Sequence, residues 1–511
     1  MSRSVCSRRS LSIISLLYLY IPIVIFLIGW TKTGVCLITL AAIGYAFFSI
    51  YKYTGRPENR KSLVRLDPLV TVFAILFFMW IGYYAGWGRW VDQAPDWLKH
   101  NAVLSDIVNK SWPVYYTNEN ERSMLVYYIA QYMVPGLAGK LTNSFRTAEI
   151  VMYVWNEAGL FLVFIHTVNL IKADRYVMQF ITALTLPFFG IPLWISEYIL
   201  RRVSDFNRIG EGFWFFGDGD FLIQYSNNFT LLRWVVPQVI PCWIIMALFL
   251  EYRDEMEFHV PIALPGILFG TLSFLGMIPF IIANDLELII RNRDIKKSLR
   301  RLFGDENILV MLTLGVILGM YFYGNVFSEK PETVSLTVLP YDSRHIVYFV
   351  FVFVNIIIYA LVLWKDNGTD IIFFIMTAVL VLLPLLRMGA FNDLVMRSSI
   401  PGLFILMILV LKFINDHMAK ADRHARDSVF MKLSVLTVII LFITGLFYPF
   451  TEFSEAVKAN DDSKEIYGFE WTSLEEFANR DLHINDDMKY NYYAYDIDSN
   501  LFYRHIARKK F

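Results

Sequence analysis

The stretch "LVTVFAILFFMWIGYYAGW", residues 69–87, indicates the class of fold to which this chain belongs. Its length is close to the roughly 20 residues with which an α-helix crosses the hydrocarbon of a bilayer. Its apolar side chains follow one another without the alternation of a barrel strand, which is typical of a membrane-spanning helix. Because similar runs recur along the whole chain, the sequence predicts an all-α polytopic membrane protein.

The composition of the chain agrees with this class. Of its 511 residues, 56% are hydrophobic and 17% aromatic, and the mean hydropathy is +0.47. The 46 basic and 46 acidic side chains cancel, so no net charge favours a nucleic-acid partner, and we expect none. The three cysteines, Cys6, Cys36 and Cys242, are far apart and form no CxxC pair, so we expect neither a disulfide framework nor a zinc site.

The lengths of the apolar runs predict about thirteen transmembrane helices. The candidate spans are residues 11–30, 35–51, 67–86, 146–171, 176–198, 231–250, two short passes within 260–290, 308–326, 346–364, 371–388, 400–414 and 432–449. Pro and Gly breaks permit the two short passes, and the sidedness of the loops requires them. The basic start leads into a long apolar run without a small-residue cleavage site, which predicts a retained first span.

Basic residues predict which loops lie in the cytoplasm. Arg and Lys side chains place the N-terminus and the connection at 52–65 there. Residues 87–145 are then a large external loop, and residues 387–399 also lie outside because the basic segment 412–432 is cytoplasmic. Within the external loop, Pro and Gly break the apolar segment 121–141, which favours an interfacial helix over a further span.

The chain divides into two predicted domains. Residues 1–449 form the transmembrane domain, and residues 450–511 form a small extracytoplasmic C-terminal segment. This segment contains "WTSLEEFANRD", in which Thr472 and Glu475 match a capping box, so we expect it to be folded.

The first cluster of ionisable groups lies in "VDQAPDWLKHNAVLSDIV", residues 91–108. Pro95 suits the first turn of a helix, which places Asp96, Lys99 and His100 on one face at i, i+3 and i+4. The helix dipole favours the carboxylate form of Asp96, which suits an acceptor of a hydroxyl hydrogen bond or a metal ligand. The alternative is an acid that only stabilises the helix start, with a solvated lysine behind it.

The second cluster lies in "RIGEGFWFFGDGDFLIQYSNNFTLLRW", residues 208–234. Glu211, Asp218 and Asp220 alternate there with glycines and aromatic residues, and Tyr225 follows. Aromatic faces beside carboxylates suit a carbohydrate, whose ring stacks and whose hydroxyls need acceptors. The alternative is an interfacial aromatic belt, since Trp and Tyr collect at headgroup depth.

The third cluster is "LRMGAFNDLVMRSSIPG", which contains Arg387, Asn392, Asp393 and Arg397 at the predicted outer end of two spans. Paired arginines beside a membrane suit a phosphate or diphosphate carried on a lipid. The alternative is that these basic residues only mark the ends of spans.

The combination of these segments resembles the GT-C superfamily of membrane glycosyltransferases, which use sugars linked to polyprenyl phosphate. The resemblance lies in an early span, an external loop with an aspartate four residues before a histidine, and the segment "YYIAQYMVPGLAGKL". "YSNNFTLLRWVVPQVIPCW" and "NDLVMRSSIPGLF" are similar to segments of related bacterial membrane proteins. The resemblance implies a GT-C-like fold with interfacial helices in the first large external loop, and a catalytic carboxylate at Asp96.

The resemblance also implies a reaction. A sugar would pass from a lipid-linked donor to a glycan, lipid or protein acceptor at the outer face of a membrane, here the bacterial inner membrane with its lipids as partners. Asp96 would orient or deprotonate the acceptor hydroxyl, with Lys99 and His100 beside it, while Arg387 and Arg397 stabilise the departing phosphate.

The chain departs from the superfamily's pattern in its acidic residues. Many members carry an Asp-Glu or Asp-x-Asp pair, which is absent at Asp96, so Asp92 or an acid at 218–220 would have to supply the second carboxylate. Dependence on a divalent cation, Mg or Mn, therefore stays open.

Two other classes of function compete with the transferase. A transporter or lipid flippase would place ionisable groups near the middle of the membrane, where Asn156 and Glu157 in "VMYVWNEAGLFLV" form one such pair. A polysaccharide polymerase or ligase of different fold would centre on Arg and His in a later external loop. Polar residues clustered at the outer face would favour the enzyme over the transporter.

Overall fold

Apolar α-helices make up most of the described chain in the computed structural model. The structure describes residues 7–59, 63–118, 121–203, 207–209, 211–215, 221–326, 336–339, 344–388, 392–421, 429–462, 473–475, 492–494, 497 and 500–508. Within these ranges, eight helices are long and apolar enough to cross a membrane, or nine if one pair bent by 48° counts as a single span. The predicted all-α membrane class is confirmed, and the total of about thirteen spans stays a prediction.

The helices are numbered in chain order. They are α1 (Arg8–Trp30), α2 (Thr33–Gly55), α3 (Pro68–Tyr84), α4 (Trp97–Asn109), α5 (Ala130–Thr142), α6 (Phe145–Leu170), α7 (Tyr176–Phe188), α8 (Leu193–Leu200), α9 (Asn228–Trp234), α10 (Val236–Glu251), α11 (His259–Ala263), α12 (Gly266–Phe269), α13 (Thr271–Arg291), α14 (Ile295–Leu302), α15 (Asp305–Val310), α16 (Val316–Val326), α17 (Arg344–Val352), α18 (Ile358–Asn367), α19 (Ile371–Leu382), α20 (Asp393–Ser398), α21 (Ile400–Ala421), α22 (Val429–Gly445) and α23 (Phe447–Asp462). Single π-helical turns join α15 to α16 and α17 to α18. The bent pair is α7 with α8.

Apolar side chains cover the outside of the helical bundle as well as its inside. Trp30, Trp243 and Phe26 are fully buried, whereas Leu69 is 82% and Ile290 77% exposed. Exposed apolar surface on this scale is unfavourable in water but suits contact with lipid chains. The exposed faces of the helices therefore fit a bilayer around the bundle.

The helical bundle has two ends, which we distinguish by the segments that contact each other there. At one, which we call the inner end, Arg253 pairs with Asp370 at 2.8 Å, and Arg175 donates to the carbonyl of Met418. At the other, which we call the outer end, described residues of the external loop, of 386–388 and 392–398, and of the C-terminal segment meet. The positive-inside prediction places the inner end in the cytoplasm.

The region 260–290 differs in part from its prediction of two short passes. Short helices α11 and α12 are followed by α13, which is long enough to be a full span. His259 lies 2.8 Å from Asp285, and at the opposite end of α13 the Ser398 hydroxyl donates to the Leu272 carbonyl. The two pieces thus run antiparallel and reverse at Gly270, so only the first pass is short.

Small antiparallel sheets lie in the loops between the helices. They are β1 (Tyr115–Asn118), β2 (Glu121–Leu125) and β8 (Tyr493–Ala494) in the order β1-β2-β8; β3 (Asn207–Ile209), β4 (Gly212–Phe215) and β5 (Phe221–Ile223) in chain order; and the pair β6 (Thr337–Val338) with β7 (Leu386–Arg387). The prediction of an interfacial helix over 121–141 is therefore wrong for residues 121–125, which form β2 instead. The cause is pairing with β1 and with a strand from the far end of the chain.

The rest of that predicted interfacial helix is α5, which packs against α4. Pro135 lies inside α5 without ending it. Gly136 permits close packing, because a Cβ atom there would collide with Ile107 of α4. α5 also packs along α6 and α1, so α4 and α5 are held against the sides of these helices, and this packing positions the candidate functional site.

Candidate functional site

The start of α4 holds a close ion pair, as the i, i+3 spacing predicted. Asp96 is the residue before α4, and its Oδ2 lies 2.6 Å from the Lys99 ammonium nitrogen. The Asp96 carboxylate does not cap the helix through a hydrogen bond, so it is turned to its partner instead. Its side chain is 29% exposed against 9% for Lys99, which makes Asp96 the accessible edge of the pair.

The surroundings keep both members of this pair charged. Burial raises the pKa of the Asp96 carboxyl, but the charges of Lys99 and Arg397 more than offset this, and its pKa lies below the usual value. Burial likewise lowers the pKa of Lys99, yet neighbouring oxygen groups, above all Tyr492 and Asp96, raise it above its usual value. At neutral pH the site therefore contains a carboxylate beside an ammonium group.

His100 lies next to Lys99 and holds α4 in place through both of its ring nitrogens. Burial, followed by the charge of Lys99, lowers the pKa of His100 to about 3, so the ring is neutral. The carbonyl of Trp234 lies 3.2 Å from Nε2 and can only accept, so Nε2 carries the hydrogen. Nδ1 then accepts from the Tyr132 hydroxyl at 2.5 Å. Both ring nitrogens are engaged, so His100 positions α4 and offers no free nitrogen to a substrate.

Arg397 of α20 joins this site from a distant part of the chain. Its guanidinium lies 2.8 Å from the Asp393 carboxylate and donates to the Tyr128 hydroxyl at 3.2 Å. It also interacts electrostatically with Asp96. Its Nε is buried and has no hydrogen-bond acceptor in the described part of the chain. The first and third clusters, to which the implied reaction gives a common site, are thus connected through Arg397.

Four tyrosines surround these charges and were missed by the sequence reasoning. They are Tyr127, Tyr128, Tyr132 and Tyr492. The first three come from the segment predicted only to be interfacial, and the last from the C-terminal segment. The signal that could have found them is the density of Tyr in "VYYIAQY" and "KYNYYAYD". We call these tyrosines, with Asp96, Lys99, Asp393 and Arg397, the outer site.

Glu211 lies one helix away from the outer site. It is buried and accepts a hydrogen bond from the backbone of Asn227, which caps α9. At the far end of α9, the Trp97 indole donates to the Arg233 carbonyl at 2.7 Å. Seven helical residues span about 10 Å, so Glu211 supports the site through α9 and does not line it. Burial raises the pKa of Glu211 to about 7, although Asn227 opposes the shift.

The other predicted site residues occupy varied positions. Tyr225 is in the core, where its hydroxyl donates to the Leu380 carbonyl. Asn392 has a positive φ of 51° and donates to the Leu222 carbonyl, so it shapes the turn before α20. Arg387 pairs with Thr337 through β7, and Asp92 is half-buried ahead of α4. Asp218 and Asp220 lie outside the described residues.

The outer site is a poor match for a divalent cation. Mg and Mn bind several oxygen ligands of negative charge, whereas the Asp96 carboxylate already pairs with the Lys99 ammonium group. Among the described residues, no group of three His, Cys, Asp or Glu side chains could hold a metal ion. Asp96 and Asp393 balance the charges of Lys99 and Arg397, and the donor on Arg397 that lacks a partner suits an anionic oxygen.

Asn156 and Glu157, the pair expected of a transporter, have hydrogen-bond partners for only some of their polar atoms. The Asn156 side-chain oxygen, near the middle of α6, accepts from Gln131 of α5. One carboxylate oxygen of Glu157 is buried without a hydrogen-bond partner in the part of the chain described.

No family model, curated protein or solved structure matches the chain. The resemblance to the GT-C superfamily therefore rests on short sequence segments alone. The geometry of the outer site is the main support for any function assigned to this chain.

Proposed function

We propose that this chain is a membrane glycosyltransferase of GT-C type, which transfers a sugar from a polyprenyl-phosphate donor to an acceptor at the outer face. The observation that carries the proposal is the buried Arg397 Nε without an acceptor among the described residues, beside the Lys99 ammonium group. A buried donor left unpaired costs about 1–3 kcal/mol, so a ligand oxygen that accepts from Arg397 Nε would stabilise the site.

A phosphate group fits this arrangement by charge and by geometry. Its oxygens accept from guanidinium and ammonium groups in short, charge-assisted hydrogen bonds. Lys99 and Arg397 would hold the phosphate of the donor and stabilise the charge that develops on it as the bond to the sugar breaks. This assigns the phosphate to Lys99 and Arg397, in place of the predicted pair of Arg387 and Arg397.

Asp96 would act on the acceptor. Its exposed edge can accept a hydrogen bond from an incoming hydroxyl group and aim the oxygen at the sugar carbon. A carboxylate with a lowered pKa is a weak base, so the proton would move to Asp96 late, as the new bond forms. His100, neutral and engaged on both nitrogens, would only keep α4 in place.

The experiment that tests the proposal is Asp96→Asn, with Asp92→Asn as the matched control. The amide keeps the shape of Asp96 but takes up no proton, so we expect turnover per folded molecule to fall about 100-fold or more, as when other general bases are removed. Asp92→Asn should stay near the unaltered protein. Turnover close to that of the unaltered protein in Asp96→Asn would sink the proposal and favour a lipid transporter, with Glu157 as its first candidate residue.

A further inference from the structure

The C-terminal segment is attached to the outer end at several separate points. The backbone N–H of Leu474 donates to the buried carboxylate of Asp106 in α4, and Glu475 pairs with Lys110 at 2.6 Å. Further along, β8 adds to the edge of β2, with Leu125 opposite Tyr493. Near the end, the carbonyl of residue 506 accepts from the backbone of residue 32. These contacts hold the segment against the loop that carries Asp96.

One of these attachments brings Tyr492 into the outer site. Its carbonyl accepts from the Val126 N–H at 2.9 Å, and its ring lies 4.8 Å from that of Tyr127. The Tyr127 hydroxyl donates to Tyr128, whose hydroxyl accepts from Arg397 at 3.2 Å, so the Tyr492 ring lies in a group of tyrosines that reaches Arg397. The Tyr492 hydroxyl makes no hydrogen bond to any described residue. It therefore has a hydrogen to donate to a ligand.

We infer that Tyr492 is a substrate-binding residue, whose hydroxyl donates to an oxygen of the phosphate held by Lys99 and Arg397. The inference rests on the proposed function for the identity of the ligand. Neighbouring positive charges attract the hydroxyl oxygen and leave its hydrogen pointing to an anion between them. The C-terminal segment is then part of the site, and the transmembrane domain alone lacks a donor that the phosphate needs.

The position of Tyr492 is tested by a disulfide across β2 and β8. Leu125 and Tyr493 face each other next to a hydrogen-bonded pair, where Cα atoms are about 4.5 Å apart, within disulfide range. With the native cysteines replaced, the double variant Leu125→Cys with Tyr493→Cys should cross-link under mild oxidation. Each single variant is the control. Failure of the pair to cross-link would overturn the inference regardless of the ligand.

The role of Tyr492 is tested by binding of geranyl phosphate to the full-length protein in nanodiscs, with geraniol as the uncharged comparison. Tyr492→Phe removes only the hydroxyl, so we expect about 10-fold weaker binding of the phosphate and unchanged binding of the alcohol. Tyr503→Phe, a buried tyrosine of the same segment that packs on Tyr115, is the matched control and should bind both compounds normally.

The outcomes distinguish the role of Tyr492 from the proposed function. If the unaltered protein prefers the phosphate and Tyr492→Phe does so equally, the inference is overturned and the proposed function stands. If the unaltered protein shows no preference for the phosphate over the alcohol, both are overturned. A parallel loss of alcohol binding in Tyr492→Phe would assign Tyr492 to packing alone and also overturn the inference.

Discussion

Two clusters of polar side chains lie at opposite ends of the bundle and differ in which of their donors and acceptors have hydrogen-bond partners. At the inner end, His166 lies 2.8 Å from the Ser15 hydroxyl and 2.6 Å from the Glu251 carboxylate. His259 lies 2.8 Å from Asp285, and its other ring nitrogen is 3.0 Å from the Tyr252 carbonyl. We call these six residues the inner clamp.

The inner clamp holds the turn between α10 and α11. The Tyr252 hydroxyl donates to Ser12 of α1, and the Asn284 amide of α13 donates to the Arg253 carbonyl. Both ring nitrogens of His166 and His259 have partners, and the buried side-chain atom of the inner clamp without a partner is an acceptor, one oxygen of Glu251. In the outer site the buried side-chain atom without a partner is a donor, Arg397 Nε. A buried donor without an acceptor is the rarer case, which is why we assign ligand binding to the outer site and support to the inner clamp.

The largest effect that would sharpen this comparison is expected for Arg397→Gln. Loss of a guanidinium that stabilises developing phosphate charge should lower turnover by about 100- to 1000-fold, or roughly 3–4 kcal/mol, and the loss of the ion pair with the partly exposed Asp393 should also lower stability, but by less. Arg387→Gln, from the same loop, is the control and should lose far less. Turnover assays and thermal unfolding on the same preparations measure both. Equal losses of turnover in the two variants would show that Arg397 contributes no more to the reaction than Arg387.

A substitution in the inner clamp should lower stability and leave turnover unchanged, whereas Arg397→Gln should lower turnover more than stability. His259→Phe leaves the Asp285 carboxylate buried without its partner, so we expect the free energy of unfolding in detergent to fall by about 3 kcal/mol. Turnover per folded molecule should stay near that of the unaltered protein. His505→Phe, in the exposed part of the C-terminal segment, is the control. Loss of turnover without loss of stability would give the inner clamp a role in function and break the comparison.

Glu211, between the outer site and the core, should make stability depend on pH. Its pKa is about 7 in the fold and about 4.5 in the unfolded chain, so the folded state holds a proton that the unfolded state has lost between these values. The contribution to stability is present below about pH 4.5 and is lost as the pH rises through 7, by an amount of about 3 kcal/mol.

Glu211→Gln should therefore gain stability relative to the unaltered protein as the pH rises from 5 to 8. Thermal unfolding at a series of pH values measures the difference, and Glu455→Gln on α23 is the control. A difference that does not vary with pH would contradict the assignment.

The smallest expected effect is at the inner end, away from both clusters. Asp67 caps α3 by accepting from the backbone N–H groups of Leu69 and Val70. Asp67→Ala should lower stability by about 1 kcal/mol without a change in turnover. Asp67→Asn, which keeps an accepting oxygen, should recover most of the loss in the same unfolding assay. A larger effect on turnover than on stability would show that the start of α3, at the inner end, also affects the function of the outer site.

The sequence predicts well those features that depend on neighbours within a few residues. The apolar runs mark most of the long helices because a span must be apolar along its own length. The Asp96 and Lys99 pair follows from the spacing of one helical turn. Asn392 shows the limit of such reasoning, because its place in a polar motif suggests a ligand, whereas its φ of 51° shows a turn residue.

Features that depend on contacts between distant segments were out of reach. Nothing near Glu121–Leu125 reveals that its edge is completed by Tyr493–Ala494, so the sequence wrongly predicts a helix there. The unused donors of the outer site come from separate segments, and only the folded chain shows that Tyr492 lies beside Lys99. The position of His100 was predicted, but its neutral state depends on burial beneath α5 and α9.

The pairing of β2 with β8 has a consequence for the biogenesis of the protein. The partner of Leu125 is synthesised about 370 residues later, which at about 5–20 residues per second means a delay of roughly 20 to 70 seconds. During that time the edge of β2, in a loop predicted to be external, lacks its last strand, a state open to pairing with other chains. A nascent or prematurely terminated chain would carry Asp96 and Lys99 without Tyr492. Synthesis of the C-terminal segment would then act as a checkpoint, since membrane insertion finishes before the outer site is assembled.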